Sequence, residues 1–256
     1  YRAMVSMKKG APYGAYTLNT INGKPPIISN ASVHVDSTYL IKVDIQDFYG
    51  SLPLQSIFDM FTSRLGVGQE AGYFLSLLCT CHGKLPTGAP TSTVISEFLM
   101  VSIDEKLNSE IKKRFDATYS RYADDISISS NVQLDQHEVN RLVTKLIQPL
   151  GLELNNDKTK SFGPNQARYV TGVKVNEKLN LNRKYIRKLR AILHNWEVYG
   201  SYGAAMDYLS YEAGINANLE NIESYFVRSV WGKINWVGEV RGKDDAVYRK
   251  LHEKYE

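Results

Sequence analysis

The chain lacks most marks of a secreted, membrane-borne or fibrous protein. Only two of its 256 residues are cysteines, Cys79 and Cys81. That excludes a disulfide scaffold, and the pair, one residue apart in an apolar run, reads as buried reduced thiols suited to a reducing cytoplasm. With His82 they would offer three metal ligands, so a structural zinc site lacks its fourth. No apolar run approaches the ~20 residues of a membrane span, and no N-terminal signal pattern is visible, although the chain starts at Tyr1 rather than Met. Low-complexity tracts and internal repeats are absent. Neither sign of charge dominates, since 31 Lys and Arg against 27 Asp and Glu leave +4. What is there is a soluble, ordered chain, 43% hydrophobic, with apolar surface for one sizeable core or a few small subdomains.

The charge is unevenly placed. From Lys158 to Arg190 ten basic residues accompany one acid, Glu177, a footprint suited to a polyanion. Within it Asn182 is a candidate cap for a helix with Ile186, Leu189, Leu193 and Trp196 on one side. Arg183, Lys184, Arg187, Lys188 and Arg190 lie largely elsewhere, on a face that is either merely solvated or in contact with phosphates. Helical periodicity also runs over 52–66, 70–82, 91–114 and 133–150, the last ended by Gly151. From about 182 onward the pattern is helical, with Trp231, Trp236 and Tyr248 as aromatic anchors. Strands among long helices, followed by helices alone, predict an α+β fold with an α-helical appendix.

Two adjacent aspartates, Asp124 and Asp125, stand between segments that alternate apolar and polar like strands. Aspartate is a poor strand former, so the pair is either an ordinary hairpin turn or a site for a hard divalent cation, which takes carboxylate oxygens. On this stretch alone the two readings are even. Asp44, at the end of the β-branched run Tyr39–Val43, supplies a third carboxylate. If its strand pairs with the hairpin, Asp44 and Asp124 would share two metal ions, with Asp125 completing the cluster. Asp47 reads as a helix-start residue.

At this point the chain resembles the palm of a reverse transcriptase. Tyr122-Ala123-Asp124-Asp125 looks like that family's motif C, and Asp44 with Phe48 and Tyr49 like motif A. Leu85-Pro86-Thr87-Gly88-Ala89-Pro90-Thr91-Ser92 before a long helix looks like motif B, and Asn155-Asn156-Asp157-Lys158-Thr159 is similar to motif D. All four stand in the family's order; each alone would be weak. Asn30-Ala31-Ser32-Val33-His34 and Val170-Thr171-Gly172 resemble two motifs of the retron enzymes. By their residues alone, Asn30 and His34 would contact RNA or satisfy a buried turn, and Gly172 would admit a nucleic-acid strand or mark a bulge.

The resemblance implies a right-hand polymerase fold: partial fingers over 1–43, a palm with interleaved fingers helices over 44–181, and a helical thumb over 182–256. It implies an RNA-directed DNA polymerase that uses two Mg²⁺, with Mn²⁺ as a substitute, held by Asp44, the Ile45 backbone carbonyl, Asp124 and Asp125. Lys158 would assist the departing pyrophosphate. Phe48, Tyr49, Gly88 and Ala89 would bind the incoming dNTP, Tyr49 as the steric gate against ribonucleotides. Asn30, His34, Arg121, Tyr122, Val170, Thr171, Gly172, Arg183, Lys184, Arg187 and Lys188 would face RNA or DNA. The implied partners are a cognate structured noncoding RNA, the msDNA copied from it after priming at a 2′-hydroxyl, and a separate effector protein of antiphage defence, all in a bacterial cytoplasm and away from membranes. Two alternatives stand beside this one: a group II intron-like or other defence reverse transcriptase, and an RNA-binding scaffold that restrains a toxin.

Departures from the family pattern are Thr87 for Gln, Thr93 for Pro and Glu97 for Asn, which bear on template contacts around motif B. After Met7-Lys8-Lys9-Gly10 the basic fingers hairpin that grips the triphosphate does not follow, so either the protein is a shortened variant or, as is expected here, a segment is missing between Gly10 and Ala11.

Overall fold

The computed structural model describes residues 25–212 and 221–256. The Lys8-Lys9-Gly10 junction and the first part of the expected fingers lie outside the described residues. The chain divides into two compact units, one comprising the residues up to Thr171 with Val175–Glu177, the other Gly172–Lys174 with Lys178–Glu256.

The first unit is organised by a four-stranded antiparallel sheet. Its strands are β1 (Tyr39–Ile45), β2 (Thr118–Tyr122), β3 (Asp125–Ser130) and β4 (Leu154–Phe162), in the spatial order β2-β3-β1-β4. Strand side chains alternate between faces, and the register makes the two faces unlike. Ile41, Ile128 and Tyr119 share one row; Val43, Ile126 and Arg121 share the next. On the opposite face lie the rows Lys42, Ser127, Ser120 and Asp44, Asp125, Tyr122.

The apolar face is the core. Ile41, Val43, Ile45, Ile126 and Ile128 pack with Leu99, Met100, Ile103 and Leu107 of the 26-residue helix Pro90–Phe115 and with Val139, Leu142 and Val143 of the helix Gln136–Ile147. Fully burying such a side chain stabilises the fold by about 1.5–3 kcal/mol. The long helix starts with Pro90 in its first turn, where its missing N–H costs nothing, and ends with Lys112, Lys113 and Arg114 against the negative end of the dipole. Asp135, not residue 133, begins the later helix, its carboxylate accepting the His137 N–H at 2.8 Å.

Numbering helices in chain order, α1 is Pro26–Ser32, α2 Leu54–Asp59, α3 Gln69–Cys79, α4 Pro90–Phe115 and α5 Gln136–Ile147. The expected helix over 52–66 begins two residues late, after Pro53, and widens to π geometry over Met60–Arg64. Asp47 starts no helix. It lies in a turn with φ 40° and accepts the Ser51 N–H on its carbonyl at 2.8 Å. Cys81 is exposed and Cys79 half-buried, correcting the expectation of two buried thiols: Cys81 falls beyond the end of α3, in a loop paired to Lys84.

The second unit is helical: α6 (Arg183–Glu212), α7 (Ile222–Arg241) and α8 (Ala246–Glu253). Asn182 caps α6 as its position suggests, accepting the Lys184 N–H at 2.8 Å. Gly200, at φ 72° and ψ 172°, breaks α6 in two. Trp196 packs edge-on against Phe226 at 5.1 Å, and Trp231 stacks on Tyr255 at 5.0 Å. Gly238 lets α7 approach Tyr248 of α8, whose ring would lie 2.7 Å from any added Cβ. No helix among the described residues is long and apolar enough to cross a membrane.

Candidate active site

Strand pairing brings the three candidate carboxylates together. Asp44 stands directly opposite Asp125 across the β1–β3 ladder, and Asp124 occupies the two-residue β2–β3 turn with Ala123. Ala123 takes the left-handed conformation, φ 55°, that lets so short a turn follow the strand twist. The Ile45 N–H donates to the Asp124 carbonyl at 3.0 Å, tying the turn to β1.

These carboxylates open onto a cleft of about 520 Å³, which Lys42, Asp157, Lys158, Lys160, Phe162 and Tyr169 also line. Two lysines pair with two of the three acids. Lys42 Nζ lies 2.7 Å from Asp125 Oδ2, and Lys158 Nζ lies 3.2 Å from Asp44 Oδ2. Burial pushes the Asp125 carboxyl above its usual range, the Lys42 ammonium opposes this, and the neighbouring Asp124 and Asp44 charges add to the rise.

Three oxygen-bearing acids in adjacent backbone positions are the donor chemistry that a hard divalent cation requires. No three His, Cys, Asp or Glu side chains among the described residues are grouped as ligands. The three carboxylates fit a hard divalent cation in kind, and the ammonium groups of Lys42 and Lys158 lie against two of them.

Around the acids, Tyr49 is half-buried, its ring 5.2 Å from that of the buried Phe48 and its hydroxyl 3.4 Å from Thr93 Oγ1. That contact uses one of the departures from the family pattern, since proline would offer no hydroxyl. Tyr122 is half-buried, and burial raises its phenol. Gly88 is exposed at φ 89°, a conformation that favours glycine, with open space where a side chain would be. Ala89 follows as the residue preceding α4.

Several residues expected at nucleic acid are instead interior. Asn30, His34, Val170 and Arg121 are buried. His34 bridges two strands, its Nδ1 2.7 Å from Ser129 Oγ and its Nε2 2.6 Å from Ser120 Oγ, and burial lowers its pKa to about 3. That matches the buried-turn reading of its sequence. Thr171, at φ 47°, donates its hydroxyl at 3.3 Å to the Ile27 carbonyl of α1, the helix that also carries Asn30. Arg121 has no exposed side-chain surface because strand alternation turns it to the core face, where Glu97 and Asp104 of α4 pair with it at 2.8 and 2.7 Å. It is a core residue rather than a nucleic-acid contact.

Arg183, Lys184, Arg187 and Lys188 are exposed on α6, in the second unit. Sequence reasoning missed Lys42 and Glu97. Lys42 was legible in its spacing of two from Asp44, which puts both on one strand face. Glu97 stands out only as a departure from the family pattern, although an acid amid Ile95, Phe98 and Leu99 on a core helix calls for a buried cation.

Residues 9–175 match the family model for reverse transcriptase (RNA-dependent DNA polymerase). Among curated proteins, the chain is 29% identical to the retron Ec86 reverse transcriptase of Escherichia coli, over 66% of this chain and 52% of that one. It is 31% identical to the retron Se72 reverse transcriptase of Salmonella heidelberg, over 69% and 49%. The chain thus spans about half the length of the curated relatives it matches. Among solved structures it resembles apo telomerase from Candida tropicalis, with a TM-score of 0.53 at 10% identity over 98% of this chain and 53% of that one. Telomerase from Candida albicans, solved with a fragment of telomeric RNA, gives 0.52 at 10% identity over 98% and 50%. The fold is the right-hand polymerase fold, and by its family match the chain belongs to the reverse transcriptases, where it is similar to the retron members.

Proposed function

We propose that the protein is the polymerase of a retron, copying part of a structured noncoding RNA into DNA. The observation that carries this is the pairing of Asp44 with Asp125 beside the Asp124 turn, in a chain matching the reverse transcriptase family over 9–175. Asp44 and Asp124, with Asp125 and the Ile45 carbonyl, would hold two Mg²⁺. Those ions would activate the attacking hydroxyl and steady the pyrophosphate, and Mn²⁺ would substitute. Lys158, already at Asp44, would swing toward the departing pyrophosphate. Tyr49, braced by Thr93, would crowd the 2′-position of the incoming dNTP next to Phe48, Gly88 and Ala89.

On this reading residues 1–43 belong to the fingers, 44–181 to the palm with its interleaved fingers helices, and 182–256 to the thumb. Arg183, Lys184, Arg187 and Lys188 would follow the sugar-phosphate backbone without reading sequence. Tyr122, Thr171 and Gly172 are the other candidates for nucleic-acid contact. A noncoding RNA as partner follows from kinship with the retron enzymes; msDNA, priming from a 2′-hydroxyl, a separate effector protein, a role in antiphage defence and a bacterial cytoplasmic setting extend the same kinship.

The test is incorporation of labelled dNTP on the RNA that copurifies with the protein. Asp124→Asn combined with Asp125→Asn is expected to abolish it while RNA binding persists. Undiminished incorporation by that variant would move the active site elsewhere.

A further inference from the structure

The geometry points to Arg121 as a positioning residue that fixes Asp124 by holding the Ala123 carbonyl to helix α4. Its guanidinium is fully buried and every edge is engaged. Nε and Nη2 donate to the two oxygens of Asp104 at 2.8 and 2.7 Å, and Nη1 donates to Glu97 Oε1 at 2.8 Å. The Asp104 carboxylate is itself held by the Tyr119 hydroxyl at 2.7 Å, and the Phe48 ring lies 5.8 Å from Arg121 Cζ. The same Nη1 also donates to the Ala123 carbonyl at 2.8 Å.

That last bond gives the buried cluster a bearing on the carboxylates. Ala123 is a non-glycine residue in the left-handed region, a conformation that persists only where surroundings hold it. Arg121 takes the carbonyl on its C-terminal side, and the Ile45 N–H takes the next one, that of Asp124. Both peptide oxygens of the turn are therefore bound, one to the α4 layer and one to the strand of Asp44. An arginine set between two carboxylates in a core is not a cheap packing solution, since apolar residues of similar volume often serve stability as well or better. What an apolar residue cannot do is reach a carbonyl while anchored at three other atoms, and a lysine, a point donor without the planar fork, cannot either. Arg121 has no exposed surface with which to meet a nucleotide or a metal; it acts through the Ala123–Asp124 backbone.

The test uses Arg121→Lys and Glu97→Gln and reads Mn²⁺ binding to the nucleotide-free protein by electron paramagnetic resonance, beside kcat and KM for dNTP and the unfolding temperature. The activity readout alone rests on the polymerase reading above. Arg121→Lys is expected to weaken Mn²⁺ binding and lower kcat by about 10- to 100-fold, with KM for dNTP unchanged. Glu97→Gln, which removes one anchor and leaves the fork in place, is expected to shift both in the same direction by less, and carries the test if Arg121→Lys does not fold. A folded variant that loses thermal stability while keeping wild-type Mn²⁺ affinity and kcat would overturn the proposal, reducing Arg121 to a structural ion pair. If the wild-type protein polymerises nothing but Mn²⁺ binding falls as expected, the positioning role stands and the polymerase reading fails.

Discussion

His34 shows how a buried titratable side chain makes stability depend on pH. Its ring lies between two serine hydroxyls, and its folded pKa of about 3 is below the ordinary histidine value of 6.5. Below pH 6.5 the unfolded chain takes up a proton that the folded chain refuses, so stability present at neutral pH is lost as pH falls. The slope approaches about 1.4 kcal/mol per pH unit, or about 2 kcal/mol between pH 7 and pH 5. Urea midpoints at the two pH values should show this loss in the wild type and a smaller one in His34→Gln; equal losses would mean His34 is protonated without cost in the fold. The residue chemistry was only half legible. Asp44, Asp124 and Asp125 stand out as carboxylates at strand ends, although the Asp124–Asp125 pair alone reads equally as a hairpin turn until Asp44 is set beside it. Arg121 reads as a nucleic-acid contact because sequence gives the charge of an arginine and not the face of the strand that carries it. Only the pairing with β3, and α4 beneath it, shows that this position faces the core.

At the scale of elements, α1 was not read, and α3 buries only Gly72 and Ser76 while leaving Tyr73, Phe74, Leu77 and Leu78 exposed. Yet α2 to α5 were legible within a few residues from helical spacing, and the caps Asn182 and Asp135 stand where capping chemistry puts them. The break in α6 was not, because one glycine in a helical pattern carries no sign of the conformation it adopts. Gly200 is extended with positive φ and has open space on the side where a Cβ would stand, whereas Gly232, inside α7, has the same free space and ordinary helical backbone. The same substitution should therefore have opposite effects. Gly200→Ala should cost about 1–3 kcal/mol through backbone strain alone, and Gly232→Ala should stabilise by about 0.4–1 kcal/mol by restricting the unfolded chain. Chemical denaturation of the two variants checks this, and a neutral Gly200→Ala would mean that α6 runs straight through.

For the whole molecule, a net charge of only +4 conceals a helix whose exposed face is basic. If that face follows a nucleic-acid backbone, binding should weaken steeply with salt. Replacing Arg183, Lys184 and Arg187 together by alanine should make the slope of log affinity against log salt shallower by about 2 to 3, at roughly 0.7–0.9 for each phosphate no longer neutralised. Fluorescence anisotropy with a primer-template duplex between about 50 and 200 mM salt measures it, and an unchanged slope would place the duplex elsewhere. The two-faced sheet has a further consequence. Because side chains alternate, sliding β1 by one residue against β3 would drive Lys42 and Asp44 into the isoleucine layer and bring Val43 out beside the remaining acids. Such a chain would have to bury charge without partners, so the misaligned sheet is not a competing fold. The alignment of Asp44 with Asp125 is in this sense proofread by the core, and a refolded population should recover its metal affinity in step with its secondary structure rather than after it.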